Sequence, residues 1–244
     1  MTVHSVVSRQ EWMEARVALL AKEKELTRQR DALARERLQL PWECIRAAYV
    51  FDTPDGKETL PGLFEGKSQL LVYHFMFGPE WEQGCPSCSM AADTMDANYV
   101  HLTQRDVSFV MVSRAPMDKI AAFKKRMGWT VPWVSSYGSE FNDDFGVSFR
   151  SDELQGDAYN FGTSAVHADE MPGMSAFYKD ERGTVYHTYS GYARSLEGLL
   201  GVYAMLDVAP LGRNEEGMVP HPMAWVRHHD RYESAKPAHA CCAH

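Results

Sequence analysis

Two cysteines separated by two residues, Cys85 and Cys88, carry the clearest chemistry of the 244-residue sequence. A helix-forming run, residues 89–102, follows them. At the start of a helix, free backbone N–H groups and the helix dipole stabilise a thiolate and lower the pKa of the first cysteine. Pro86 fits the first helical turn and is expected to face the substrate. We therefore predict Cys85 as a nucleophile and Cys88 as the thiol that resolves the mixed disulfide.

Further side chains are candidates for the same site. His74 ends an apolar run and is predicted to move a proton for Cys88, unless backbone groups satisfy its ring. Arg114 follows the next apolar run, at the same sheet edge, and there it would stabilise a thiolate or pair with an acid. Trp81 lies between the first of these runs and the dithiol, where it would line the substrate face or cover the core.

A metal site is the alternative use of the two cysteines. Cys85 and Cys88 with His167 offer soft thiolates and an imidazole, which suit copper or zinc. No second Cys-x-x-Cys or paired-histidine module stands at zinc-finger spacing, so redox chemistry is favoured. Further metal-binding or thiol side chains stand in the tail, namely His239, Cys241, Cys242 and His244. The redox interpretation requires no cofactor.

Composition limits the classes of partner. The 33 acidic and 25 basic residues give a formal net charge of -8, which disfavours binding to nucleic acid or to anionic membranes. The sequence has no apolar run long enough to span a membrane, and its start lacks the order of a signal peptide. Five scattered cysteines do not form a disulfide framework. We expect a cytoplasmic protein.

The first part of the chain is predicted to be one long helix. Residues 8–40 lack Gly and Pro and are rich in helix formers. Ser8 and Glu11 form a capping box in this prediction, and Pro41 stops the helix. One apolar residue per heptad makes a single stripe, too narrow for a coiled coil, that would dock on the domain or on a partner such as a second copy. The stripe consists of Trp12, Leu19, Leu26, Leu33 and Leu40.

Alternating apolar strands and amphipathic helices predict an α/β domain after this helix. Strands are expected at residues 45–51, 69–77, 107–113, 175–179 and 184–189, and helices at 89–102, 117–127 and 196–206. Residues 135–157 read as loop and short helix. The predicted organisation is an N-terminal helix (1–41), one domain (42–210) and a C-terminal extension (211–244) with a docking segment at 223–232 and a partly disordered tail.

This chain order resembles thioredoxin-like and peroxiredoxin-like proteins. More specifically, the chain looks like a bacterial thioredoxin-like family catalogued as a domain of unknown function (DUF899). The resemblance covers nearly the whole chain, and it rests on Tyr73-His74-Phe75-Met76-Phe77, Gly84-Cys85-Pro86-Ser87-Cys88-Ser89, Ser113-Arg114-Ala115-Pro116, Arg126-Met127-Gly128-Trp129 and Trp225-Val226-Arg227-His228-His229-Asp230. It implies a thioredoxin-like three-layer sandwich with a central mixed sheet, a long N-terminal helix and a C-terminal extension.

The same resemblance orders the functional alternatives. His74 stands where many thioredoxins hold a buried acid, and Pro172 is the candidate for the proline that faces their dithiol, although it stands two residues early. Peroxiredoxins carry Thr or Ser three residues before their reactive cysteine, where this chain has Glu82. A thiol-disulfide oxidoreductase with a thiol or disulfide substrate and a reducing partner is thus the first prediction. Copper or zinc binding, a peroxiredoxin-like peroxidase and a non-catalytic interaction module are the alternatives.

Overall fold

The computed structural model describes residues 4–233. The chain divides into two compact units, Met1–Trp42 and Glu43–His244. The tail residues that the sequence offered as extra metal ligands or thiols, His239, Cys241, Cys242 and His244, lie outside the described residues, as does the predicted disordered end of the C-terminal extension.

The first unit contains helix α1, Arg9–Arg37. The predicted capping box is confirmed, because the Glu11 N–H donates to Ser8 Oγ over 3.3 Å and the Ser8 N–H donates to Glu11 Oε2 over 2.9 Å. The helix ends about one turn before Pro41. Docking of its apolar stripe on the domain or on a second copy stays a prediction.

The second unit is built on an eight-stranded mixed sheet with the order β1-β8-β7-β4-β5-β6-β2-β3. The central strands β4, β5 and β6 are parallel, whereas β7 and β8 run antiparallel to them. The strands are β1 (Glu43–Cys44), β2 (Val50–Thr53), β3 (Gly56–Thr59), β4 (Gln69–His74), β5 (Val107–Ser113), β6 (Trp133–Ser135), β7 (Gly173–Lys179) and β8 (Val185–Tyr192).

Helices and loops cover both faces of this sheet. The crossover helices are α2 (Pro86–Leu102) and α3 (Met117–Met127), and the short helices are α4 (Phe141–Asp144) and α5 (Gly201–Leu206). Helices α2 and α3 bury their apolar sides in one core cluster with alternate residues of β4 and β5, as two crossovers of the same hand require. Helix α4 and residues 60–64, which follow β3, cover the opposite face. The predicted thioredoxin-like three-layer sandwich is confirmed.

Several predicted elements are shorter or broken in the structure. The run 45–51 becomes strand only from Val50, and β4 ends at His74, although Phe75 and Phe77 still form backbone hydrogen bonds with Val112 and Ala115 at the end of β5. The predicted helix 196–206 is divided into a 3-10 helix, Ala193–Leu199, and α5, with non-helical backbone at Leu200. Glycines at 198 and 201 weaken a continuous helix there.

Among the residues described, no helix has the length and hydropathy that a passage through a membrane requires.

Aromatic packing fixes the loop that leads to the dithiol. Phe75 and Phe77, which follow β4, pack with Phe123 of α3 at ring-centroid distances of 6.5 and 5.6 Å. Gly84 lies directly against these rings, and a Cβ atom at this position would stand 2.6 Å from Phe75 and 2.9 Å from Phe123. The loop therefore approaches the core as closely as glycine allows.

Replacing Gly84 by alanine is expected to force this loop away from the aromatic core. We predict that Gly84→Ala lowers the free energy of unfolding by about 1–3 kcal/mol, the usual cost of overpacking. Gly198→Ala is the matched control, since its Cβ would meet no atom within 4 Å. Urea unfolding of both variants measures the difference, and equal stability of the two would contradict the packing argument.

Candidate active site

Cys85 stands at the N-cap of helix α2, directly before the first helical residue, Pro86. Its own N–H donates to the carbonyl of Met76 over 3.0 Å, which ties the loop back to the end of β4. Pro86 is the first residue of the helix and loses no backbone hydrogen bond there. The sequence therefore places the dithiol as predicted, at the start of the first crossover helix.

The pKa of Cys85 is lowered to about 7. The largest cause is the hydrogen bond from the Cys88 thiol, and the N–H groups of Cys88 and Ser87 and the Ser87 hydroxyl act in the same direction. Burial opposes them. Because Cys85 remains half-buried rather than enclosed, a substantial fraction of it is a reachable thiolate near neutral pH.

Cys88 has the opposite electrostatic environment. Its side chain is 2% exposed, and both this burial and the charge of Cys85 raise the pKa of the Cys88 thiol well above its ordinary value. It therefore keeps its proton and donates it toward Cys85. The two pKa directions agree with the predicted roles of nucleophile and resolving thiol, and neither cysteine is in a disulfide.

Tyr73 is a site residue that sequence reasoning missed. Burial and, after it, the Cys88 thiol raise the pKa of Tyr73, and the Tyr73 hydroxyl in turn lowers the pKa of Cys88. Burial is the main cause that raises the pKa of the nearby Tyr159 phenol, and Cys88 adds to it. A usable signal was present, since strand residues alternate between faces and Tyr73 shares the face of Phe75, toward α2.

His74 lies on the other face of β4 and does not reach the dithiol. Its ring stacks against Phe141 and Phe145 with centroid distances of 5.5 and 5.7 Å, and its Nε2 contacts Ser175 Oγ at 2.8 Å. Burial lowers the pKa of His74 to about 3, so the ring is neutral. His74 is therefore not placed to transfer a proton to Cys88 as predicted. Successive side chains of a strand point to opposite faces of the sheet, and His74 points to the face away from the dithiol.

Arg114 is paired with an acid instead of a thiolate. Its Nε donates to Glu170 Oε1 over 2.6 Å, and Ser148 Oγ donates to the other carboxylate oxygen over 2.8 Å. Burial raises the pKa of Glu170 to about 7, although Arg114 and Ser148 act against that rise. Of the two uses the sequence left open for Arg114, the structure contains the ion pair.

Trp81 and Pro172 occupy different positions near the site. The Trp81 indole N–H donates to Asp169 Oδ1 over 3.2 Å, and Lys119 Nζ donates to the Trp81 carbonyl over 3.2 Å, so Trp81 helps to hold the dithiol loop. Pro172, which precedes β7 by one residue, lines the same cavity as Cys88. Its peptide bond is not among the cis bonds of the described residues, unlike the facing proline of thioredoxins.

The predicted metal ligands are not brought together. His167 is exposed, and within residues 4–233 no three His, Cys, Asp or Glu side chains are grouped so as to hold a metal ion. The set of Cys85, Cys88 and His167 is therefore not assembled in this structure.

The predicted C-terminal docking segment, residues 223–232, packs beside the dithiol loop. Arg126 of α3 makes two hydrogen bonds of 2.8 Å with Asp230. His228 is buried and its Nε2 donates to the carbonyl of Gly84 over 2.8 Å, while its Nδ1 accepts from Arg126 over 3.2 Å. This segment thus supports the residue directly before Cys85. The adjacent His228 and His229 in the sequence gave no indication of this role.

Comparison with known proteins identifies a family. A family model described as "Bacterial protein of unknown function (DUF899)" matches residues 1–232. No curated protein matches the chain.

Solved structures with a similar fold include two peroxiredoxin-type proteins. Peroxidoxin BcpB from Mycobacterium tuberculosis is 14% identical with a TM-score of 0.46, and the match covers 66% of this chain and 94% of that one. A peroxiredoxin Q of Xanthomonas campestris is 14% identical with a TM-score of 0.43, over 67% and 95% of the two chains. A putative protein disulfide isomerase from Bacteroides thetaiotaomicron is 16% identical with a TM-score of 0.37, over 67% and 90%.

Removing the Cys88 thiol is expected to make Cys85 less acidic. We predict that the rate of Cys85 alkylation by iodoacetamide rises with pH to a midpoint near pH 7 in the wild type. In Cys88→Ala the midpoint should move up toward the ordinary cysteine value of about 8.5, because the main hydrogen bond to the thiolate is lost.

Peptide mass spectrometry separates Cys85 from the other thiols. Cys44→Ser is the control, since Cys44 is exposed on β1 and makes no contribution to the pKa shift of Cys85. An unchanged midpoint in Cys88→Ala would show that the helix start alone sets the pKa of Cys85.

Glu170 is expected to make stability depend on pH. Because its pKa is raised in the folded protein from an ordinary 4.5 to about 7, the folded state holds a proton that the unfolded chain releases. Stability should therefore fall as pH rises through this interval, by at most about 3 kcal/mol from this group.

Glu170→Gln removes the titrating group. Between pH 4.5 and 7 the free energy of unfolding of this variant should therefore decrease less than that of the wild type. The exposed Glu181→Gln is the matched control and should keep the wild-type slope. Identical slopes for wild type and Glu170→Gln in urea unfolding would refute the assignment.

Proposed function

The chain belongs to the bacterial family DUF899, and we propose that it is a thiol-disulfide oxidoreductase that uses Cys85 and Cys88. The observation that carries this proposal is a pair of free thiols at the start of α2, with the half-buried Cys85 at the N-cap and the buried Cys88 one helical turn later. The pKa of the half-buried Cys85 is lowered to about 7, and that of the buried Cys88 is raised. Disulfide exchange needs this pairing of a ready thiolate with a protonated reserve thiol.

The first step is attack by the Cys85 thiolate on one sulfur of a substrate disulfide. The Cys85–substrate S–S bond forms as the substrate S–S bond breaks, and the leaving thiolate takes a proton from solvent. Cys85 has then lost its negative charge. Because that charge is one cause of the raised pKa of Cys88, the second thiol becomes more acidic once the mixed disulfide exists.

The second step is attack by Cys88 on the Cys85 sulfur. Cys88 releases its proton, the Cys85–Cys88 disulfide forms, and the second substrate thiolate leaves and is protonated. The Tyr73 hydroxyl supports this step, since its hydrogen bond stabilises the Cys88 thiolate. One substrate disulfide is reduced to two thiols, and the protein dithiol is oxidised. A dithiol reductant, the proposed partner, resets the pair.

Contacts around the site favour a disulfide over a peroxide as substrate. Reduction of a peroxide by a dedicated pocket needs hydrogen-bond donors aimed at the peroxide oxygens beside the thiolate. Glu82 occupies the position three residues before Cys85 and is exposed, and Arg114 is held by Glu170. The substrate disulfide needs no such donors, because its leaving group is a thiolate.

Serine substitutions separate the two roles. Cys85→Ser should reduce bis(2-hydroxyethyl) disulfide no faster than buffer does, because it lacks the nucleophile. Cys88→Ser should complete only the first step and stop as a covalent adduct, which intact-mass spectrometry detects as one added 2-mercaptoethanol moiety on Cys85. Cys44→Ser is the matched control and should behave as the wild type.

The opposite pattern would overturn the assignment of roles. An adduct that accumulates on Cys88 in Cys85→Ser, or full turnover by Cys88→Ser, is incompatible with Cys85 as the attacking thiol. Single-turnover mixing of the reduced proteins with the disulfide gives both readouts in one experiment.

A further inference from the structure

A cavity of about 710 Å³ lies beside Cys88, on the face of the sheet covered by α2. We call it the Cys88 cavity. Its walls come from β4 and the loop after it, from α2, from the 3-10 helix after β8, and from the C-terminal segment. The lining residues that matter here are Tyr73, Met76, Cys88, Met95, Leu200 and Met223.

The lining of the Cys88 cavity is mainly apolar, and four of its charged side chains, Arg194, Glu197, Arg213 and Glu215, already have ion-pair or hydrogen-bond partners, whereas Glu216 has none among residues 4–233. Glu197 forms ion pairs with Arg194 and Arg213 at 2.9 and 3.3 Å. Glu215 accepts hydrogen bonds from Tyr203 Oη and Trp225 Nε1. An apolar group entering the cavity would gain burial without separating these charges, whereas a polar group would lose its hydration.

The position of the cavity joins it to the reacting sulfurs. Ser87 and Cys88 line the cavity, and Cys85 stands one helical turn before Cys88 at the N-cap of α2, so a substrate bonded to the Cys85 sulfur would lie next to the cavity. A volume of about 710 Å³ suits a small organic molecule. The C-terminal segment, anchored through Asp230 and His228, packs beside the dithiol loop.

We propose that the substrate is a small-molecule disulfide with an apolar substituent, which the Cys88 cavity binds while Cys85 attacks the S–S bond. This inference rests on the proposed oxidoreductase function and specifies its substrate class. The chemistry is the two-step exchange already given: one R–S–S–R molecule yields two R–SH, and Cys85 and Cys88 become a disulfide. The cavity adds binding energy for R and changes no covalent step.

Two disulfides of nearly identical shape test the substrate class. Dipropyl disulfide ends in methyl groups where bis(2-hydroxyethyl) disulfide ends in hydroxyls. Reduced wild-type protein is mixed with each in single turnover, and each second-order rate constant is divided by that of the same disulfide with dithiothreitol. We expect a normalised preference for dipropyl disulfide of roughly 10-fold or more, from burial of the methyl and desolvation of the hydroxyl.

Two methionine variants locate the preference. Met223→Glu places a charge in the cavity wall and should reduce the normalised preference to about one. Met205→Glu is the matched control, because Met205 is 73% exposed and lies outside the cavity lining, and it should keep the wild-type preference. Met95→Gln, on α2, provides a second cavity variant with the same expected loss if Met223→Glu does not fold.

The outcomes separate this inference from the proposed function. Reduction of both disulfides with a normalised ratio near one overturns the substrate class and leaves the oxidoreductase intact. Reduction of neither overturns both. A preference that survives both cavity variants also overturns the inference, since the selectivity would then arise outside the Cys88 cavity.

Discussion

The hydrogen bond from the Cys88 thiol to the Cys85 thiolate is the interaction on which the account of this site depends. It is the largest cause of the lowered pKa of Cys85, and the same contact raises the pKa of Cys88. Burial alone would raise both pKa values and leave two inert thiols. The N–H groups of Ser87 and Cys88 add to the stabilisation of the Cys85 thiolate, whereas this contact acts on the pKa of both cysteines in opposite directions.

The fold maintains that contact by fixing both sides of it. Cys88 is held on α2 above Tyr73, and Cys85 is held by its N–H bond to Met76 and by the close approach of Gly84 to the aromatic core. The C-terminal segment adds a third support through the bond from His228 to the Gly84 carbonyl. Residues from three other parts of the chain, 73–77, Phe123 and His228, therefore converge on one short loop.

The sequence was sufficient for the elements and for the dithiol because both depend on local patterns. Strand β5, helix α3 and the position of Cys85 before α2 follow from apolar periodicity and from Pro86. The contacts between side chains were harder to predict from the sequence. The alternation along β4 would have excluded His74 and selected Tyr73, but the Arg114–Glu170 pair joins residues 56 positions apart and has no local signal. The Cys88 cavity could not be predicted from local patterns either, because its walls come from segments spread between residues 73 and 223.

The most direct test of the central claim is a carbon NMR titration of the β-carbons of Cys85 and Cys88 in the reduced wild-type protein. The account predicts that the Cys85 signal titrates near pH 7 and that the Cys88 signal does not move until the pH is far higher. Titration of both cysteines together, or of Cys88 first, would contradict it.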